Sequence, residues 1–539
     1  MTKWVYPFGG GKADGDGAMT ALLGGKGAGL AEMSALGISV PPGFTITTEA
    51  CDVYQQSKDF PNELATQVDA ALAHLEQFAG ATLGDPKNPL IVSVRSGAPA
   101  SMPGMMDTIL NLGLNDACAE GLARQTNDGR FAFDCYRRFI AQYAELALGV
   151  DLDVFDNAVA DVRGGSGLSG SQFSEAELRS LAAAFQGVVT TELGSDFPQD
   201  PRVQLWGAIR AVVGSWGQGR AARYRAMHKI ADTPGTAVTV QAMVFGNRGE
   251  GSATGVGFTR NPSTGSNRPF GEYLPNAQGE DIVSGVSTPH ALSSGPRHST
   301  SLEATMPDVF AALIGSFGIL ERHFRCVQEV EFTVEQGRLW VLQTRNAVPS
   351  VRAAAQIAVD MVHEGILDRK EALARVDGNA LARLLHPEVD PAAEKIILAR
   401  GIPASPGAAT GPVAFSSDDA ETMKSAGKSP VLVRPETKPE DVHGIAASVA
   451  VITSRGGATS HAAVVARSMG RPCVTGASDV AVDVVAKTLT VADHVVSGGD
   501  IITVDGTNGV ICLGAVPLRP AEPGDAITEF LSWTDTPSR

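Results

Sequence analysis

The six cysteines, Cys51, Cys118, Cys135, Cys326, Cys473 and Cys512, form no CxxC pair. That scatter argues against a zinc ribbon, a dithiol redox motif or a disulfide framework, so reduced thiols are expected. No apolar run approaches the roughly 20 residues that a membrane helix requires. The opening residues, MTKWVYPFGGGKADGDG, lack the apolar stretch of a secretory signal, and a cytoplasmic location is expected. Positive charge is also in short supply: 43 Lys and Arg against 59 Asp and Glu leave a net charge of −16. Nucleic acids and anionic membranes are bound by concentrated basic side chains, so neither is an expected partner. There is no GxxxxGK[ST], which excludes a P-loop as the source of any phosphate binding.

What is present is a long, ordinarily globular chain. Its 539 residues exceed what one core usually serves, and two to four domains are expected. Hydrophobic residues make up 43% and charged residues 19%, a balance unlike that of disordered chains. Residues 1 to 345 mix glycine-rich turns, strand patterns such as PLIVSVRSGA, and a helical insertion over about 115–230. Residues 346–400 read as a helical linker. From 401 to 513, strand patterns (SPVLVR, ASVAVITS, PCVTG, IITVDG) alternate with helical stretches, the mark of an α/β fold. Residues 514–539 read as a tail. The fold class expected is α/β and α+β, multidomain.

The run ASVAVITSRGGATSHAAVVARSMGRPCVTG, residues 447–476, concentrates the chemistry. A buried strand leads through a Gly456-Gly457 turn into a helix that starts near His461, with Thr459 or Ser460 as its cap. A helix N-terminus offers free amides and positive potential to a phosphoryl group. Imidazole is largely neutral near pH 7, so a ring nitrogen is available as a nucleophile. The same residue could equally serve as a cap or core histidine. Arg467 and Arg455 supply nearby positive charge.

Candidate phosphate ligands are dispersed upstream. Lys26 lies in the first glycine loop, GGKGAGLAEM, which reads as a loop followed by a helix. Arg95 ends a buried strand, and Gly104 sits in the flexible stretch SGAPASMPGMMDT. A third stretch, GNRGEGSATGVGFTRNPSTG, has six glycines whose amides could fold over a polyphosphate. In the hairpin pattern QEVEFTVEQGRLWVLQTRN, alternation puts Glu329 and Glu331 on one face as a candidate Mg²⁺ site. Gln343 and Arg345 follow on its second strand.

Taken in order, these runs and VSVRSGAPASMPGMMDTILNLGLND, GTAVTVQAMVFGN, GEYLPNAQGED and GIPASPGAATG resemble the pyruvate phosphate dikinase family over nearly the whole chain. The resemblance implies an ATP-grasp-type nucleotide domain followed by a swivelling phosphohistidine domain. It assigns His461 as the phosphoryl carrier, through Nε2. Lys26, Arg95, Gly104, Gln343 and Arg345 become nucleotide and phosphate residues, and Glu329 and Glu331 Mg²⁺ ligands. It implies that ATP pyrophosphorylates the histidine, AMP leaves, and phosphate removes the terminal group as pyrophosphate. Thr459 matches a threonine that a regulatory protein phosphorylates in plant members.

Ala458 departs from the family's usual methionine, and Glu329 from its frequent aspartate. The family continues into a β/α barrel that binds phosphoenolpyruvate or pyruvate. The sequence stops where that barrel is expected, so a barrel on a separate chain is an expected partner. Two alternatives share these modules: a phosphoenolpyruvate synthase-like enzyme, which uses water in place of phosphate, and a non-catalytic nucleotide-binding remnant.

Overall fold

The computed structural model describes residues 2–100, 102, 106–163, 173–232, 234–283, 288–294, 300–377, 387–519 and 524–534. The chain divides into two compact units, Met1–Val244 with Trp340–Thr344, and Phe245–Leu339 with Arg345–Arg539. None of the six cysteines is paired. No described helix is long and apolar enough to cross a membrane.

The first unit is organised around a six-stranded sheet. Its order is Lys12–Ala13, Val5–Gly9, Gly43–Ile46, Ala237–Ala242, Val92–Gly97 and Thr108–Leu112, and every pairing is antiparallel. Phe44, Ile46, Val92, Val94, Val238 and Val240 are fully buried, which fixes the register, since a one-residue slip would turn them all to the other face. Between the edge strand Thr108–Leu112 and the strand Ala237–Ala242, the chain makes a block of helices running from Asp116–Thr126 to Gly219–His228. Side chains start several of these cleanly. Asn115, Asp128 and Asp200 each accept from a first-turn amide, and Ser174 forms a reciprocal box with Glu177.

The first glycine run is not a loop. It lies inside the helical stretch Thr20–Ala35, broken only at Gly24, where φ is 66°. A Cβ on Gly24 would stand 1.7 Å from the Gly97 carbonyl oxygen, and Gly25 N–H donates to Ala98 O at 2.9 Å. The glycines let the helix lie directly against the strand end that carries Arg95.

In the second unit the strands Gln328–Glu335, Ala253–Phe258, Phe270–Pro275 and His290–Ala291 pair antiparallel in that order. The strand Arg338–Asn346 follows the Gln336-Gly337 turn. Here the third glycine stretch proves to be no single loop, because its middle is the buried strand Ala253–Phe258. Gly255 and Gly257 are needed for packing: a Cβ on either would collide with the ring of Phe332 or Phe317. Past this strand Arg260, fully buried, is held between two carboxylates. Its guanidinium donates to Glu321 (2.7 and 3.0 Å) and to Glu364 (2.5 and 3.1 Å).

The helices Val351–His363, Arg369–Arg375 and Asp525–Thr534 share a core of Ile357, Met361, Phe530 and Trp533. Beyond the first two lies a mixed eight-stranded sheet. Its order is Ile396–Arg400, Val510–Leu513, Ile501–Asp505, Ala408–Ala414, Val431–Arg434, Ala450–Thr453, Cys473–Thr475 and Ile402–Ser405. The strands from Ala408–Ala414 to Cys473–Thr475 run parallel, joined by helical crossovers, while the flanking strands are antiparallel. Parallel strands demand cover on both faces, and two separate cores supply it. Mixed helix and sheet in several bodies is the architecture expected from the sequence.

Candidate functional site

Ligands in open parallel sheets gather beyond the carboxyl ends of the strands, because the crossover helices there begin with free amides. Two such ends meet in the second unit. The strand Ala450–Thr453 leads through Gly456, at φ 90°, into the helix His461–Ser468. The neighbouring parallel strand Val431–Arg434 leads to Thr437. Thr437 Oγ1 lies 3.1 Å from His461 Nδ1. In the tautomer whose Nδ1–H donates to Thr437 Oγ1, the free lone pair lies on Nε2. Burial lowers the pKa of His461 from its ordinary 6.5, against the opposing pull of Asp441 and Glu440. The ring is therefore neutral near pH 7, the form that can attack an electrophile.

Neither hydroxyl offered as the helix cap performs that task. Ser460 occupies the cap position in the backbone, but no side-chain cap bond forms and its Oγ is buried without a partner. The Thr459 hydroxyl is turned away to Glu272. Among the described residues no side chain caps the amides of the first turn, which can serve an anion instead.

Glu272, on the strand Phe270–Pro275, grips the turn before His461. Its Oε1 accepts from Thr459 N at 3.0 Å and Thr459 Oγ1 at 2.6 Å, and its Oε2 accepts from Ala458 N at 3.1 Å. A Cβ on Gly457 would lie only 2.2 Å from the carboxylate, so the second glycine of the turn is demanded by Glu272 as well as by chain reversal. Burial pushes the Glu272 carboxyl above its usual range, with the three donors and Arg467 opposing.

Arg467, read from the sequence as nearby positive charge, is a buried brace. Its Nη2 donates to Ala404 O and Ala458 O, each at 2.9 Å, and its Nε donates to Ala404 O at 3.2 Å. Burial lowers its pKa, while Cys473, Glu329 and Glu272 favour the charge. Arg455 is exposed on the turn.

The hairpin residues Glu329, Glu331 and Arg345 come together within the same unit. Arg345 Nη2 donates to Glu329 Oε1 at 2.5 Å. Burial works against the Arg345 charge, but Glu329 and Glu331 raise its pKa above the ordinary arginine value. Among the described residues no cluster of three or more His, Cys, Asp or Glu could cage a metal. Two carboxylates on one strand face do fit Mg²⁺, which usually takes one or two protein carboxylates and completes its shell from substrate phosphates and water.

In the first unit, Arg95 is fixed from three sides. Its guanidinium donates to Gln241 Oε1 at 3.3 Å, Leu342 O at 3.2 Å and Gln343 Oε1 at 3.3 Å. Gly97 lies two residues on, and a Cβ there would stand 3.6 Å from the Lys26 side chain. Arg95 thus contacts Gln343 directly, and Lys26 lies beside Gly97 of the Arg95 strand. Gly104 lies outside the described residues. Glu272 and Thr437 were not foreseen. Both sit in segments whose local pattern is ordinary, and only strand pairing and the crossover geometry bring them to His461.

Comparison with known proteins identifies a family. Residues 20–59 and 54–313 match the family described as "Pyruvate phosphate dikinase, AMP/ATP-binding domain". Residues 427–509 match "PEP-utilising enzyme, mobile domain". The pyruvate, phosphate dikinase of Rhizobium meliloti (strain 1021) is 47% identical over 546 aligned residues, covering 100% of this chain and 61% of the relative. The chloroplastic enzyme of Flaveria trinervia is 46% identical, covering 100% of this chain and 56% of the relative. The enzyme of Clostridium symbiosum is 46% identical, covering 99% and 60%. The chain therefore spans less than two thirds of the length of these curated relatives.

Proposed function

Since the chain belongs to the pyruvate phosphate dikinase family, we propose that it carries out the ATP- and phosphate-dependent phosphorylation of His461. His461 Nε2 attacks the β-phosphorus of ATP. A P–N bond forms, the bond from that phosphorus to the α-phosphate oxygen breaks, and AMP leaves. Inorganic phosphate then attacks the terminal phosphorus, departs as pyrophosphate, and leaves one phosphoryl group on the ring. The observation that carries this reading is the Thr437 contact at Nδ1, which presents a neutral ring through Nε2 at a helix N-terminus.

The other residues have assignable tasks in this reading. Lys26, Arg95 and Gln343 bind and orient the polyphosphate, offsetting its charge as it shifts. Arg345 adds a forked donor, its position set by Glu329. Glu329 and Glu331 would hold Mg²⁺, which when bound supplies charge neutralisation on the phosphate oxygens. Glu272 sets the turn and so the direction of the ring. Transfer onward to pyruvate, giving phosphoenolpyruvate, belongs to the same proposal, with a pyruvate-binding barrel as the carrier domain's partner. The free cysteines support a reducing, cytoplasmic setting.

Incubation with ATP labelled at the β-phosphate, Mg²⁺ and phosphate tests the proposal. Label should appear on His461, with AMP and pyrophosphate released in equal amounts, and the His461→Asn variant should take up none. Intact protein that binds ATP yet acquires no label would overturn the reading, and phosphate release in place of pyrophosphate would assign water as the second acceptor.

A further inference from the structure

The edge of the eight-stranded sheet carries a cavity that shares no residue with the His461 turn. The edge strand Ile396–Arg400 pairs with Val510–Leu513, but its register breaks: Ile397 faces Cys512, and the next pairing is Ala399 with Ile511. Leu398 is therefore an extra residue, a β-bulge. In an unbroken strand Ile397 and Arg400, three positions apart, would point to opposite faces. The bulge reverses that parity. Leu398 and Ala399 enter the main core with Ile511, while Ile397 and Arg400 both line a cavity of about 240 Å³.

Lys395 also lines this cavity, and Val389, Val510 and Cys512 form its buried apolar wall. Asp505 lies there too, but its carboxylate is occupied. Oδ1 accepts from Thr507 N and Asn508 N, and Oδ2 from Asn508 Nδ2. The side chains of Lys395 and Arg400, by contrast, have no ion pair or hydrogen bond among the described residues. Both are exposed, and with no described carboxylate paired to either, their two positive charges at one cavity are open to an anion. Their field reaches the wall. Burial raises the Cys512 pKa, while Lys395 and Arg400 both lower it and Asp505 adds to the rise.

We propose that this cavity binds a phosphate dianion, free or as the monoester of a small organic molecule, clamped between Lys395 and Arg400. Two separate cations suit a dianion better than a single carboxylate, and Arg and Lys are both established phosphate ligands. The space exceeds what a single water fills many times over. Ile397, Val389 and Val510 would face the organic part of a monoester.

Methyl NMR of the full chain, with labelled Ile and Val, tests this site directly. Inorganic phosphate and glycerol 3-phosphate are titrated separately, with ionic strength held constant by chloride. Saturable shifts are expected at the Ile397 and Val510 methyls, at least tenfold weaker in affinity in Lys395→Gln and Arg400→Gln. The Ile452 methyl in the main core should stay in place and report an intact fold. Tighter binding of glycerol 3-phosphate would identify a monoester site, and equal binding a site for phosphate itself. Absence of saturable shifts at Ile397 and Val510 with both ligands, or unchanged affinity in both variants, would overturn the proposal.

Discussion

Arg95 meets Gln343 across 248 residues of sequence, whereas His461 meets Thr437 across only 24. The first arrangement exists only when distant antiparallel strands have found their register. The second is assembled from two adjacent crossovers of one parallel sheet. Yet the local site is not self-sufficient, because Glu272 holds its turn from 187 residues away. Contiguity places His461 beside Thr437 at its helix end, and a long-range contact holds the turn before it.

The sharpest way to separate the two arrangements is to remove one member of each. His461→Asn should abolish label while leaving ATP affinity within about twofold, by calorimetry; a large loss of affinity would mean that the two are one cooperative assembly. Arg95→Met should slow labelling by roughly 10²–10³-fold, the usual effect of losing a donor that meets developing charge, with the fold intact by circular dichroism. Glu272→Ala leaves two turn amides and a hydroxyl without their acceptor. Hydrogen bonds to charged groups are worth about 1.5–3 kcal/mol, so labelling should slow roughly 10–100-fold with unchanged ATP affinity.

Smaller effects refine the local half. Thr437→Val removes a neutral hydrogen bond, worth about 0.5–1.5 kcal/mol, and should slow labelling by roughly tenfold at most. The pH profile gives the smallest shift. The lowered pKa of His461 keeps the ring neutral as pH falls through 6.5, so labelling should persist there and fade only at lower pH. Glu440 pulls that pKa upward, and Glu440→Gln should move the midpoint further down. A midpoint at or above 6.5 in the unaltered protein would contradict the burial of the ring.

The strand, glycine turn and helix around His461 were legible because each step is local: apolar run, paired glycines, helix stop at Gly470 and Pro472. Lys26, Arg95 and Gln343 were each legible as separate candidates, but the Arg95–Gln343 contact was not, since it depends on strand order. The bracing role of Arg467 was not legible, because charge in a sequence does not reveal burial. Two carbonyls, of Ala404 and Ala458, made it a brace. The glycines at 255 and 257 misled for a related reason. A glycine that admits a phenyl ring looks, in sequence, like one that admits a turn.

The Arg260 cluster has a consequence for how this chain tolerates change. Its guanidinium is sealed from solvent, and side-chain exposure is 11% for Glu321 and 35% for Glu364. Counterions cannot readily screen such a group, so the cluster should persist in brine that dissolves surface pairs. Losing one member strands a buried charge at a cost of roughly 3–5 kcal/mol, whereas replacing the set by matched apolar residues can be neutral. Single substitutions at Arg260 or Glu321 should therefore destabilise the fold more than joint replacement of the set by apolar residues.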